Sequence, residues 1–361
     1  MPLRWLIVGG GTGGHLFPGI AVAEELQRLG KEICFVSGKR KIEKTILKNR
    51  PFKVYELDVE GFLGRSMLDK FRAGLKMVKG IFQSYRLINH LNPDIIFATG
   101  GYISFPVVIA GKIKNKITAL HEQNVEPGLA NKILSYLVDR VFISIPGSEK
   151  SFPKGKVVFS GNPVRKSILT KRPKEHTGLG LLILGGSLGA RFINELALEI
   201  MPKLLIQFKD LFVFHQTGME EYEKVKNAYD KTIPKDWQER VRVFPFIEDM
   251  GWAYSQADLF LGRAGATTLA ELFAVGLPAV FIPFPYATRD HQKKNALRVA
   301  EKGGAVVVDQ KEATPDKVLQ VLKNLLNDRK KLQEMAEAMK SFFVPSSEKI
   351  IIEELERLAN V

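Results

Sequence analysis

The chain has 361 residues, 45% hydrophobic and 25% charged, values that argue against disorder and suit two domains of ordinary size. Its one cysteine, Cys34, excludes an internal disulfide and fits a reducing cytoplasm, and its six scattered histidines form no Cys/His cluster at metal spacing. The net charge of +14 lies mostly in residues 1–163, which hold 24 Lys and Arg against 13 Asp and Glu; that bias suits an anionic lipid surface or substrate, while no helix-turn-helix, finger or aromatic–basic pattern speaks for nucleic acid.

No apolar run reaches the ~18 residues of a membrane-spanning helix. The start MPLRWLIVGGG is too short for a signal peptide and runs straight into a motif, so a soluble or surface-bound protein is expected. In chain order, strand-like runs fall at Leu3–Val8, Ile33–Val36, Val54–Leu57, Ile95–Ala98, Ile117–Leu120 and Val141–Ile145, with helical periodicity between most of them. The stretch 160–177, SGNPVRKSILTKRPKEHT, reads as a linker. The alternation restarts at Leu181–Leu184, Leu211–His215, Val241–Phe244, Leu259–Leu261, Ala279–Ile282 and Ala305–Val308. Two doubly wound α/β domains meeting at a cleft are predicted, followed by a C-terminal helix after Pro345.

Glycine-rich turns open both halves. RWLIVGGGTGGHLFPGIAVAEEL predicts a buried strand, a tight turn and a helix starting near Pro18; LLILGGSLGARFINELALEIM repeats the plan. Glycines let the backbone approach a ligand, and free N–H groups at a helix start attract anions. A third turn, LFLGRAGATTLAELFAVG, sets Arg263 before a helix ending near Gly276. Gly9, Gly11 and Gly14 match the G-x-G-x-x-G dinucleotide pattern, yet the second strand ends in Val36-Ser37-Gly38-Lys39-Arg40, without the acid that binds a nicotinamide cofactor's ribose. His15 directly follows the first turn, at a strand end where open α/β sheets bind ligands; the plain alternative is a structural histidine.

GGGTGGHLFPGIAVAEEL, TGGYISFP, HEQNVEPGLANK, GNPVR, GGSLGAR, FIEDM, GRAGATTLAEL and PFPYATRDHQKKNA occur in this order between about Leu6 and Ala296. Each element is weak alone, but the ordered set closely resembles the MurG family. These bacterial transferases add N-acetylglucosamine to the undecaprenyl-pyrophosphoryl-muramyl-pentapeptide of peptidoglycan synthesis (lipid I, giving lipid II). The resemblance implies a glycosyltransferase-B fold of two Rossmann-like domains, UDP-N-acetylglucosamine as donor, inversion at the sugar and no cofactor. It sets residues 1–163 on the acceptor and membrane side and 164–340 on the donor side, with a helix at about 341–361 as a candidate to return to the first domain. Enzymes of this kind work on the cytoplasmic face of the bacterial cell membrane. Donor contacts carry over to Thr12, Gly13, Gly14, Asn124, Arg165, Ser187, Ile247 (against uracil), Ala266, Thr267, Thr268, Leu269, Ala270, Glu271 (on ribose hydroxyls) and Gln292. Arg263 and Arg165 would offer charge to the diphosphate, and Gly100, Gly101 and Tyr102 would shape the acceptor cleft.

A single displacement needs a base for the acceptor hydroxyl; His15 is the first candidate and Glu122 the second. No Asp-x-Asp occurs, so a metal-clamped diphosphate lacks its usual ligands. Between Arg65 and Arg86, six basic residues meet one acid, while Leu68, Phe71, Leu75, Val78 and Phe82 recur at helical spacing. That face either packs on the sheet or enters an anionic membrane surface. A UDP-N-acetylglucosamine 2-epimerase, another lipid-acceptor transferase of this fold, an NADP oxidoreductase and a non-enzymatic nucleotide-binding scaffold are the alternatives.

Overall fold

Two parallel sheets organise the chain. The computed structural model describes residues 3–11, 13–48, 50–59, 67–170 and 172–359, apart from the side chains of Ile42 and residues 67–72. Thr12 therefore lies outside the described residues, as do the side chains of Leu68 and Phe71. The chain divides into two compact units, Met1–Arg165 with Val344–Val361, and Lys166–Phe343.

The first unit runs β1 (Arg4–Val8), α1 (Gly13–Arg28), β2 (Glu32–Ser37), α2 (Lys41–Leu47), β3 (Lys53–Glu56), α3 (Met67–Leu91), β4 (Ile95–Ala98), α4 (Ser104–Ile113), β5 (Ile117–Glu122), α5 (Leu129–Leu134), β6 (Arg140–Ile143) and β7 (Val157–Phe159). Its sheet order is β3-β2-β1-β4-β5-β6-β7. Side chains alternate across the strands, so both faces need cover. Trp5, Ile7, Phe35, Phe97 and Phe142 pack on Leu16 and Ile20 of α1. Leu6, Val8, Ile96, Leu120 and Val141 face Met77 and Ile88 of α3 and Val107 of α4.

The second unit runs α6 (Lys166–Leu169), β8 (Leu179–Leu184), α7 (Arg191–Gln207), β9 (Leu211–Gln216), α8 (Tyr222–Thr232), β10 (Val241–Phe244), α9 (Met250–Gln256), β11 (Leu259–Gly262), α10 (Ala266–Val275), β12 (Ala279–Phe281), α11 (His291–Glu301), β13 (Ala305–Val307), α12 (Pro315–Asn327) and α13 (Arg329–Lys340). Its order is β10-β9-β8-β11-β12-β13, with Leu181, Ile183, Val213 and Leu261 packed on Ile193 and Ile200 of α7 and Leu322 of α12. The final helix, α14 (Ser347–Ala359), belongs to the first unit, where Ile351, Ile352 and Leu355 complete the α1 side of the core. Arg140–Glu354 at 2.6 Å and Lys31–Glu356 at 2.7 Å pin it there.

Three local expectations need correction. Helix α1 begins at Gly13, and Pro18 stands inside it; only the Gly14 carbonyl loses a donor, in a first turn already rich in unpaired groups. The linker stretch contains the short helix α6. The first sheet has a seventh strand, β7, whose three residues pair with β6 and are too few to show periodicity.

Candidate active site

In each sheet the strand order reverses at one point, between β1 and β4 and between β8 and β11, and crevices for ligands open there beyond the strands' carboxyl ends. In the first unit three loops follow β1, β4 and β5 at that end. They carry the glycine turn, Thr99–Tyr102 and the HEQN segment. His15, the third residue of α1, joins them. Its Nδ1 lies 3.0 Å from the Thr99 carbonyl oxygen and 2.9 Å from Gln123 Oε1. Both are acceptors, so Nδ1 carries a hydrogen and donates. Gly101 has φ +80°, and a Cβ there would fall 2.5 Å from the Gly10 carbonyl and 3.3 Å from the His15 ring, so glycine is what lets this loop lie against the turn.

The first turn carries an internal anion. Glu43 is buried in α2; Gly11 N–H donates to its Oε1 at 2.5 Å, Tyr102 OH to the same oxygen at 3.2 Å, and Arg40 N–H to Oε2 at 2.8 Å. The Arg40 guanidinium stacks 4.8 Å from the Tyr102 ring. Tyr102 thus braces the turn. An acid does follow the second strand, but it is spent on the turn itself rather than on a ribose.

Glu122 ends β5, buried. Its Oε1 accepts from the backbone and side-chain amides of Asn124, both at 3.0 Å, and its Oε2 from Gly128 N–H at 3.1 Å and Asn131 Nδ2 at 2.9 Å. A carboxylate holding four donors orients a loop; it is poorly placed to collect a proton. The same bonds fix Asn124. Arg165 lies 4.5 Å above the Phe17 ring.

In the second unit the turn Gly185–Gly189 leaves Ser187 exposed, and Leu188 is 80% exposed. Gln216, at the end of β9, ties it to the FIEDM loop: Nε2 donates to Gly186 O at 2.9 Å, and Oε1 accepts from Ile247 N–H at 2.8 Å. The Ile247 side chain is buried. Ala266, Thr267 and Thr268 open α10 with no side chain capping its first turn. Glu271 is buried and accepts from Tyr254 OH at 2.8 Å, whereas Leu269 and Ala270 lie in the core. Arg263 is committed to its own fold. Its Nη1 donates to Ile282 O at 2.8 Å and Pro283 O at 3.1 Å, and its Nη2 to Gln310 Oε1 at 2.7 Å. Burial lowers its pKa to about 10. Such a guanidinium clamps loops and is not the open charge expected for a diphosphate. Gln292 accepts from Phe284 N–H at 3.0 Å, fixing the loop before α11.

On α3, Leu75, Val78 and Phe82 are 58, 67 and 59% exposed, while Ala73, Met77, Ser84 and Ile88 point inward. Over Leu75, Val78 and Phe82 the stripe faces outward, contrary to the sheet-packing alternative. Ile113 of α4 is also exposed, Arg86 lies over the Phe82 ring and Lys114 over Tyr85. Among the described residues no helix is long and apolar enough to cross a membrane, and no three His, Cys, Asp or Glu side chains gather as for a metal ion.

The Glycosyltransferase family 28 N-terminal domain matches residues 5–143, and the C-terminal domain of that family matches residues 180–351. A curated relative from Syntrophus aciditrophicus is 42% identical over 340 residues, 93% of either chain. The chain belongs to glycosyltransferase family 28. As a family 28 member it is a hexosyltransferase with the two-domain glycosyltransferase-B fold. The Syntrophus relative is named UDP-N-acetylglucosamine–N-acetylmuramyl-(pentapeptide) pyrophosphoryl-undecaprenol N-acetylglucosamine transferase. The crystal structure of Acinetobacter baumannii MurG superposes with TM-score 0.79 at 31% identity, covering 99% of this chain and 100% of that one. A Neisseria meningitidis UDP-GlcNAc 2-epimerase bound to UDP-GlcNAc superposes with TM-score 0.69 at 14% identity over 98% of this chain and 100% of its own, a likeness of fold alone.

Family 28 membership sets aside the oxidoreductase and the non-enzymatic scaffold. Sequence reasoning missed Glu43, Gln123, Asn131 and Gln216. Gln123 and Asn131 stand inside HEQNVEPGLANK, but nothing local marks them as the partners of His15 and Glu122.

Proposed function

We propose that this family 28 transferase moves N-acetylglucosamine from UDP-N-acetylglucosamine to the muramyl-pentapeptide carried on undecaprenyl pyrophosphate, forming lipid II. The observation that carries the reading is 42% identity over 93% of the chain with a relative named for that reaction. His15 supplies the chemistry: its Nδ1 donates to fixed acceptors, and its Nε2 takes the proton of the acceptor hydroxyl as that oxygen attacks the anomeric carbon. One displacement inverts the centre and releases UDP. Its departing charge is met by the glycine turn after β8 and the uncapped N–H groups of Ala266–Thr268, with Glu271 on the ribose, Ile247 at the base and Gln292 near the sugar. Glu122 and Asn124 hold the HEQN loop in shape, and the Arg165 guanidinium adds charge.

The test is direct. The protein is incubated with labelled UDP-N-acetylglucosamine, with and without a muramyl-pentapeptide lipid analogue. Acceptor-dependent UDP release is expected; release without acceptor would point to hydrolysis or epimerisation instead.

The exposed α3 stripe with Arg86 and Lys114 is proposed to rest on the anionic cytoplasmic face of the cell membrane, where the lipid acceptor is anchored. Sedimentation with vesicles containing anionic phospholipid should fall sharply for a Leu75→Ser/Phe82→Ser variant, with unfolding unchanged because both side chains are exposed. Equal sedimentation would sink this surface.

A further inference from the structure

Two members of the HEQN segment, His121 and Gln123, are almost completely buried, and Gln123 is one of the two acceptors that meet His15. They share one face of their segment, because side chains alternate along an extended chain, and Glu122 between them turns the other way. The polarity of their hydrogen bonds can be worked out from fixed ends. Gln123 Nε2 lies 2.8 Å from the Thr99 carbonyl and 3.1 Å from the His121 carbonyl. Two backbone acceptors orient the amide: flipped, it would set oxygen against oxygen twice. Its Oε1 therefore faces His15 Nδ1 at 2.9 Å as an acceptor.

At the other end, His121 Nε2 lies 3.0 Å from the Gly161 carbonyl, so it carries the hydrogen, and its bare Nδ1 accepts from Gln123 Nε2 at 2.8 Å. This requires a neutral His121, and burial lowers its pKa to about 4. The chain of bonds thus has one direction, from His15 through Gln123 and the buried His121 to the Gly161 carbonyl. The other nearby carboxylates are engaged elsewhere: Glu122 with Asn124, Gly128 and Asn131, and Glu43 with Gly11, Arg40 and Tyr102.

We propose that Gln123, itself oriented by His121, is a positioning residue that holds His15 with its hydrogen on Nδ1 and Nε2 free for the acceptor proton. This rests on His15 as the base. It differs from a carboxylate–histidine pair in that the acceptor behind the base is a neutral amide, so the imidazole is oriented without a charge beside it.

The full chain, labelled with 15N-histidine and assigned through His15→Ala and His121→Phe, should show opposite tautomers near neutral pH: Nδ1–H in His15, Nε2–H in His121. Gln123→Glu puts a carboxylate against His15 Nδ1–H and favours imidazolium. The acidic limb of its kcat/KM profile should therefore move up by roughly one to three pH units. Gln123→Met removes the acceptor and should lower kcat on the order of 10-fold to 100-fold with the donor KM unmoved. An Nε2–H tautomer in wild-type His15, or a folded Gln123→Glu enzyme with an unmoved acidic limb, overturns the proposal. Near-normal turnover by His15→Ala would remove the base assignment alone, since the tautomer pattern is read without turnover.

Discussion

The glycine turn after β1 and the one after β8 share a plan of strand, glycines and helix, and differ in what fills them. In the first, the Gly11 N–H is given to the buried carboxyl group of Glu43, and a histidine stands beside it with Nδ1 turned to the Thr99 carbonyl and Gln123. In the second, the brace is a neutral amide, Gln216, which touches a carbonyl of the turn, and the tip at Ser187 and Leu188 stays exposed. The first turn is thus met by the Glu43 carboxyl group and by the Arg40 guanidinium, whose Nη1 donates to Gly11 O at 3.2 Å, whereas the brace at the second turn is an uncharged amide. Under the proposed function, the same local motif would serve proton handling in one unit and anion binding in the other.

The largest effect that could break this division is expected at His15. His15→Ala should lower kcat by about 10²–10⁴ at saturating donor and acceptor, with the donor KM within a few-fold of wild type. Near-normal turnover would leave the first turn without its chemistry.

Next come the glycines that let each turn close. A Cβ on Gly189, at φ +77°, would fall 1.9 Å from the Thr217 carbonyl, and one on Gly101 would fall 2.5 Å from that of Gly10. Each alanine substitution should destabilise its unit by about 3 kcal/mol or more, seen in denaturant unfolding. At permissive temperature Gly101→Ala should depress kcat, because His15 is its neighbour, and Gly189→Ala should raise the donor KM. If both variants altered the same kinetic constant, the two turns would share one task.

Acid sharpens the contrast more gently. Burial lowers the pKa of His121 to about 4 and of His215, in the second unit, to about 3. Unfolded histidine binds its proton near pH 6.5, so below that pH the unfolded chain takes up protons that the folded chain refuses. Stability should fall with pH through this window, by up to about 1.4 kcal/mol per pH unit for each histidine. His121→Phe should flatten the slope for the first unit; an unchanged slope would mean that His121 is already charged in the fold, which its acceptor role toward Gln123 forbids.

The smallest effect belongs to Gln216→Ala, which frees the Gly186 carbonyl and the Ile247 N–H. A loss of about 1 kcal/mol and a few-fold rise in donor KM with kcat nearly intact are expected from steady-state kinetics and thermal unfolding. A loss in kcat alone would place this brace in the chemical step.

Much of the fold was legible because buried parallel strands are nearly all apolar. Ile95–Ala98 and Val241–Phe244 can be read from sequence with their limits unchanged. The three-residue β7 and the start of α1 ahead of Pro18 were not, since neither has a periodic signal of its own. Of the candidate site, His15 was visible from its place after a glycine turn, whereas Glu43, Gln123 and Gln216 were hidden because each acts on a residue between 30 and 108 positions away.

By itself, then, the order of apolar runs, glycine turns and short motifs determined the α/β class, the two halves and the family, because each leaves a local mark along the chain even though the strands it predicts pair over long separations. The tertiary structure alone decided how the two glycine turns differ. A carboxylate from α2 and an amide following β5 reach the first turn across the sheet, and the charge at a turn depends on what arrives through space. It decided Arg263 in the same way: what reads as a charge offered to the diphosphate is folded onto the carbonyls of Ile282 and Pro283, because a buried guanidinium must find acceptors where the chain provides them.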